Sequence, residues 1–133
     1  MNRKSLQSIK RDLKDLQKYE VVIFGSYCTS YFNSRSDIDI AIITREQDPT
    51  KSRKILFDLF AFQKSPYEFH LFELLPLNVK MEIIDKHQIV WGDVQNIEEY
   101  FYHFRKLWKD QETRYRENLS YSISQKISVV NEK

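Results

Sequence analysis

Residues 20–43, EVVIFGSYCTSYFNSRSDIDIAII, decide the fold. Val21 to Phe24 reads as a buried strand, Gly25-Ser26 as a turn followed by a short polar element, and the segment carrying Asp37 and Asp39 before Ile40, Ile42 and Ile43 as a second strand. Strand side chains alternate between faces, so Asp37 and Asp39 project the same way while Ile38 and Ile40 point into the core. Two carboxylates that close disfavour each other's ionisation unless a cation holds them, and hard oxygen ligands beside a phosphate suit Mg²⁺. A glycine directly after a strand, having no Cβ, lets backbone N–H groups approach an anion closely. Turn and pair together describe a metal-dependent phosphate site.

Gly25-Ser26, ten intervening residues and then Asp37-Ile38-Asp39 resemble the G-S-x10-D-x-D signature of the polymerase-beta-like nucleotidyltransferases, in particular the minimal nucleotidyltransferases. The resemblance covers roughly residues 19–93, with a strand on each side of the motif. Members commonly carry a glycine four residues after the motif serine, where this chain has Ser30, which leaves the shape of the polar element open. The resemblance implies a magnesium-dependent transfer of a nucleotide from ATP, with two ions held by Asp37, Asp39 and a third carboxylate on a neighbouring strand. It also implies that Ser26 and the backbone around Gly25 hold the beta and gamma phosphates.

The third carboxylate is read as Glu68, in the strand-like run YEFHLFE at residues 67–73, where it shares parity with His70; Glu73 is the runner-up. Catalytic and metal roles therefore fall to Asp37, Asp39 and Glu68. His70 is a candidate for orienting the attacking group or touching phosphate, against the alternative of a packing residue. Gly25, Ser26, Ser36 and Arg35 are the nucleotide-binding candidates, Arg35 because a guanidinium matches phosphate oxygens bidentately.

A chain of 133 residues is sized for one domain with a modest core. Only 41% is hydrophobic while aromatics reach 14%, so Phe and Tyr must supply much of the buried area. A net charge of +2 does not argue for nucleic acid. One cysteine excludes an intramolecular disulfide and a cysteine zinc site, which fits a reducing cytoplasm, and no apolar run is long enough to span a membrane.

Along the chain, Leu6, Ile9, Leu13 and Leu16 form one stripe of a helix over residues 3–18. Asp48-Pro49-Thr50 starts a second helix with Ile55, Leu56, Leu59, Phe60 and Phe62 inward. Pro76 opens a third with Val79, Ile83 and Ile84 inward, and a short strand from Gln88 to Trp91 is closed by Gly92. The expectation is an α/β domain over residues 1–96, a mixed sheet of about four strands with helices chiefly on one face. A C-terminal extension over 97–133 follows, a helix from Ile97 to about Leu119 and then a mobile tail.

Minimal nucleotidyltransferases are often paired with a HEPN protein as antitoxin and toxin, the former transferring AMP to a tyrosine of the latter. The HEPN signature, Arg followed four to six residues later by His, is absent here, so by resemblance this chain is the transferase and a HEPN protein its partner. The alternatives are a small-molecule nucleotidyltransferase, for which no acceptor pocket is legible in so short a chain, and a non-catalytic antitoxin that covers its partner. A homo-oligomer is left open; a membrane partner is not expected and nucleic acid is disfavoured.

Overall fold

The computed structural model describes residues 4–33 and 35–131, with side chains up to residue 121. Four strands, β1 (Glu20–Phe24), β2 (Ile38–Ile43), β3 (Tyr67–Leu71) and β4 (Gln88–Trp91), form one sheet in the order β3-β2-β1-β4. β1 runs antiparallel to both β2 and β4, whereas β2 and β3 are parallel, so the sheet is mixed. A parallel neighbour needs a crossover, and α2 (Pro49–Leu59) supplies it between β2 and β3. Asp48 starts that helix as its sequence suggests, accepting a hydrogen bond from the Thr50 N–H while Pro49 takes the first turn.

Helices cover both faces of the sheet, not chiefly one. On one face α1 (Leu6–Asp12), a following 3-10 turn (Lys14–Leu16) and α2 bury Ile9, Leu13, Leu16 and Leu59 against Val21, Ile23, Ile38, Ile40, Ile42, Phe69 and Val90. On the other, α3 (Leu77–Asp85) and the start of α4 (Val94–Asn131) bury Ile83, Ile84, Ile97 and Phe101 against Val22, Ala41, Ile43 and Phe72. The cause is visible in β2, whose residues 40–43 are apolar without a break. Such a run is buried on both sides, unlike the alternating pattern of a one-sided strand.

The first helix is shorter than its stripe suggests: Ser5 caps it through the Ser8 N–H, and residue 3, the expected start, lies outside the described residues. Trp91 Nε1–H donates to the Leu13 carbonyl where the helix ends, at 3.0 Å, and fastens that end to β4. Phe60 and Phe62, expected inside, are about half exposed, at 49% and 51%, because they follow α2 in a 3-10 turn at the sheet edge. α4 begins at Val94, ahead of the boundary expected at residue 96, capped by Asp93 through the Asn96 N–H. It is helical through Asn131, where a tail was expected from residue 120; residues 132 and 133 lie outside the described residues. Neither glycine nor proline occurs after Gly92 to stop it.

A polar clamp fastens α4 to the sheet. Arg45, in the left-handed region at φ 62°, forks onto both Glu20 carboxylate oxygens at 2.7 and 3.0 Å and donates to the Asn96 carbonyl at 3.0 Å. Its guanidinium also lies 4.5 Å from the centre of the Tyr100 ring. Glu73 completes the clamp by accepting from the Thr44 N–H and hydroxyl, each at 3.0 Å, and from the Tyr100 hydroxyl at 2.8 Å.

Candidate active site

β1 ends at Phe24 opposite Asp39, and β2 places Asp39 beside Glu68 of β3. Alternation puts Asp39, Glu68 and His70 on the face that α3 and α4 cover. Those helices pack over Val22, Ala41, Ile43 and Phe72, so the three polar side chains emerge at the uncovered end of that face. The Phe24 ring, edge-on to His70 with centroids 5.4 Å apart, separates them from the apolar core.

Within this cluster the ligand-capable atoms of Asp39, Glu68 and His70 all lie within 4.8 Å of one another. His70 Nε2 is 3.3 Å from Asp39 Oδ1, a hydrogen bond in the Nε2–H tautomer, and 3.8 Å from Glu68 Oε1. The bond to Asp39 raises the His70 pKa above its ordinary value; burial opposes this, and the charges of Asp39 and Glu68 add to it. Asp39 and His70 keep about a quarter of their side-chain surface exposed while Glu68 keeps half, so the cluster opens towards solvent on the Glu68 side.

Gly25 begins a 3-10 turn immediately after β1, at φ +76°. A Cβ there would collide with Asp39 Oδ2 and lie 3.3 Å from its Cγ, so the turn passes this carboxylate at a distance only glycine allows. Thr29, which sequence reasoning missed, locks the turn: its N–H and its hydroxyl both donate to the Ser26 carbonyl, at 2.9 and 2.8 Å. A threonine three residues after the motif serine is a recognisable turn signal. Among the described residues Arg45 is the one non-glycine residue at positive φ, so the backbone at Ser30 has no need of glycine.

The remaining candidates divide. Asp37 is exposed and immediately precedes β2, where the Ile38 N–H donates to the Pro66 carbonyl at 2.8 Å; it is not among the three clustered groups. Ser36 and Arg35 belong to a local turn. The Ser36 hydroxyl accepts from the Asn33 N–H, while the Arg35 N–H donates to Asn33 Oδ1 and its residue is exposed. Glu73 falls beyond the end of β3, with both oxygens engaged in the clamp on Thr44 and Tyr100. The structure thus brings Glu68, not Glu73, to Asp39.

A groove that is invisible in the sequence adjoins the cluster. It measures about 310 Å³ along β3, bounded by Glu68 and His70 at one side and by Leu56, Phe60, Leu74 and Leu75. These residues come from α2, the turn after it and the turn after β3, so only the fold assembles them.

Residues 6–102 match the nucleotidyltransferase domain family, well over half of the chain. The chain belongs to this family. This nucleotidyltransferase is 36% identical over 109 residues, 82% of its length and 84% of the relative's, to a Methanocaldococcus jannaschii protein described as a putative protein adenylyltransferase. Its fold is similar to a chain of a toxin-antitoxin complex crystallised with AMP-PNP, with a TM-score of 0.64 and 17% identity, covering 90% of this chain and 99% of that one. A similar match, with a TM-score of 0.57 and 17% identity over 89% and 95% of the two chains, is to a complex of tri-AMPylated Shewanella oneidensis HEPN toxin with MNT antitoxin. At such identities the likeness speaks for the fold. Among the described residues no helix of this nucleotidyltransferase is long and apolar enough to cross a membrane.

Proposed function

We propose that this nucleotidyltransferase transfers AMP from ATP to a tyrosine hydroxyl of a HEPN-domain toxin and so acts as its antitoxin. The single observation that carries the chemistry is the clustering of Asp39 and Glu68 against a turn kept clear of any Cβ at Gly25. Relatedness to a protein described as an adenylyltransferase and a fold shared with MNT antitoxins support the nucleotide and the partner.

Asp39 and Glu68, with the exposed Asp37 two residues ahead of Asp39, are the residues that would hold Mg²⁺; the hard oxygen donors of the clustered pair and the glycine cradle fit it. Bound there, Mg²⁺ would supply the positive charge that an in-line displacement needs at its entering and leaving oxygens. The phenolic oxygen attacks the α-phosphorus, the bond from that phosphorus to the bridging oxygen breaks, and pyrophosphate leaves. We assign the phenolic proton to Glu68, whose side chain is the most exposed of the cluster and meets an arriving acceptor first. The turn at Gly25-Ser26 receives the triphosphate, and the exposed Arg35 closes on it. The groove lined by Leu56, Phe60, Leu74 and Leu75 suits the ring of a tyrosine better than a serine side chain.

Incubating the protein with labelled ATP, Mg²⁺ and a HEPN-domain protein from the same genome, then mapping the modification by mass spectrometry, tests this reading. A mass increase of one AMP on a partner tyrosine is expected. Modification of a nucleic acid or small molecule instead, or none, overturns it.

A further inference from the structure

His70 occupies a place that the carboxylate chemistry does not require. Two parallel strands bring its Nε2 to 3.3 Å from Asp39 Oδ1 and 3.8 Å from Glu68 Oε1, with the ring steadied edge-on by Phe24. Donor atoms bound to one small cation sit about 3.0 to 3.4 Å apart, since ligand distances near 2.1 Å subtend right or tetrahedral angles at the metal. The His70–Asp39 spacing falls in that range, and Glu68, half exposed and within 4.8 Å of both partners, needs only a side-chain rotation to close on the same ion. His87 differs in that its Nδ1 is tied to the Ile83 carbonyl at 2.8 Å and its Nε2 faces one carboxylate, Glu98 Oε1 at 3.7 Å, whereas His70 Nε2 faces two.

From this geometry we infer that His70 is a direct metal ligand, so that the site is a mixed oxygen and nitrogen set that accepts Mg²⁺ but binds Mn²⁺ or a later divalent transition metal more tightly. This rests on the proposed metal role of Asp39 and Glu68. Mg²⁺ keeps to oxygen donors and holds its water, whereas imidazole binds the transition series with affinity rising from Mn²⁺ onwards. One nitrogen among the donors thus shifts the preference without altering the charge of the set. The hydrogen bond from His70 to Asp39 is what the same two atoms make when no ion lies between them.

The test is Mn²⁺ binding to the full chain, read by electron spin echo modulation on the bound ion and by calorimetric titration against Mg²⁺. Wild type is expected to show a ¹⁴N coupling from a coordinated imidazole and to bind Mn²⁺ about tenfold or more tighter than Mg²⁺. His70→Gln, which keeps a hydrogen-bond donor for Asp39, is expected to lose the coupling and most of that preference while its Mg²⁺ affinity changes by less than about threefold. Mn²⁺ bound to wild type without ¹⁴N coupling overturns the inference and leaves the carboxylate site standing. Failure of wild type to bind either ion overturns both together. The wild-type spectrum decides the matter even where the variant is unstable.

Discussion

Replacing Gly25 by alanine separates the role of this turn in folding from its role in chemistry. At φ +76° an alanine carries a backbone penalty of about 1–2 kcal/mol. The added Cβ also overlaps Asp39 Oδ2 and presses on its Cγ at 3.3 Å, so the carboxylate must swing away or the turn must lift. Either response takes Asp39 out of line with Glu68 and His70, and misplacing a reacting group by about 1 Å costs roughly a hundredfold in rate. Gly92→Ala is the control. At φ +125° its Cβ would lie 2.8 Å from Ile97 Cδ1 and 3.3 Å from Glu20 Cγ, side-chain atoms remote in sequence from the cluster. Both variants should unfold at lower denaturant, by roughly 1–3 kcal/mol. Measured well below the unfolding transition, Gly25→Ala should transfer nucleotide about a hundredfold more slowly, whereas Gly92→Ala should stay within about threefold of wild type. Equal activity of the two folded variants would refute the view that Gly25 exists to admit the Asp39 carboxylate.

Asp39→Asn and Asp37→Asn should each reduce transfer to under a few per cent at saturating Mg²⁺ while the fold persists, because each removes a ligand charge at constant volume; single-turnover assays check it. Glu68→Gln should abolish transfer with little change in melting temperature. Glu73→Gln should do the reverse, losing about 1–3 kcal/mol of stability because it disturbs charged bonds to Thr44 and Tyr100. Asp12, held below its usual pKa by the Lys4 ammonium and the Tyr67 hydroxyl, contributes stability that is complete above its unfolded pKa and is lost as pH falls through the lower folded value. Asp12→Asn should therefore cost about 1 kcal/mol at pH 7 and progressively less as pH falls below the usual carboxylate range, as denaturant titrations across that range will show. Truncation after Asp110 should preserve nucleotide binding and weaken association with the HEPN partner by a few kcal/mol, about a hundredfold or more in Kd by calorimetry.

The sequence makes the site legible where local chemistry and strand parity suffice. Gly25 after a strand, Asp39 within one and the parity shared by Glu68 and His70 put these four at the strand positions where the structure has them, because alternation is a local rule, whereas Asp37, expected beside Asp39, precedes β2 and lies outside the cluster. It is less informative where the outcome depends on what a strand end meets. Glu73 lies only five residues from Glu68 in the same run, and its fate is decided by Thr44 and Tyr100, which reach it from other elements. The groove escapes for the same reason, and with it the exposure of Phe60, whose ring borders a space that no window of sequence contains. The unbroken apolar run at residues 40–43 did carry the two-faced burial, and the absence of glycine and proline after Gly92 did carry the length of α4.

That length bears on how so small a transferase meets a protein acceptor. Up to Phe104 the inner stripe of α4 is occupied: Ile97 and Phe101 are buried, Phe104 meets Phe72, and Arg45 and Glu73 hold the helix at Asn96 and Tyr100. The same stripe continues at helical spacing through Trp108, Tyr115 and Leu119, of which Tyr115 is 69% exposed. From residue 104 to Asn131 the helix spans a further 40 Å or so at about 1.5 Å per residue. Helices with one apolar stripe are stable when something covers it; Trp108 is half-buried, and the described side chains from residue 109 to 121 are exposed. The buried first turns fix the direction of the exposed remainder relative to Asp39 and Glu68, because the clamp ties both to the same sheet. A partner seated on the outer stripe would thus be held at a set distance and angle from the catalytic cluster. On the proposed function, docking along α4 would then set the position of the acceptor tyrosine, and the groove beside Glu68 would need to recognise only a ring and a hydroxyl.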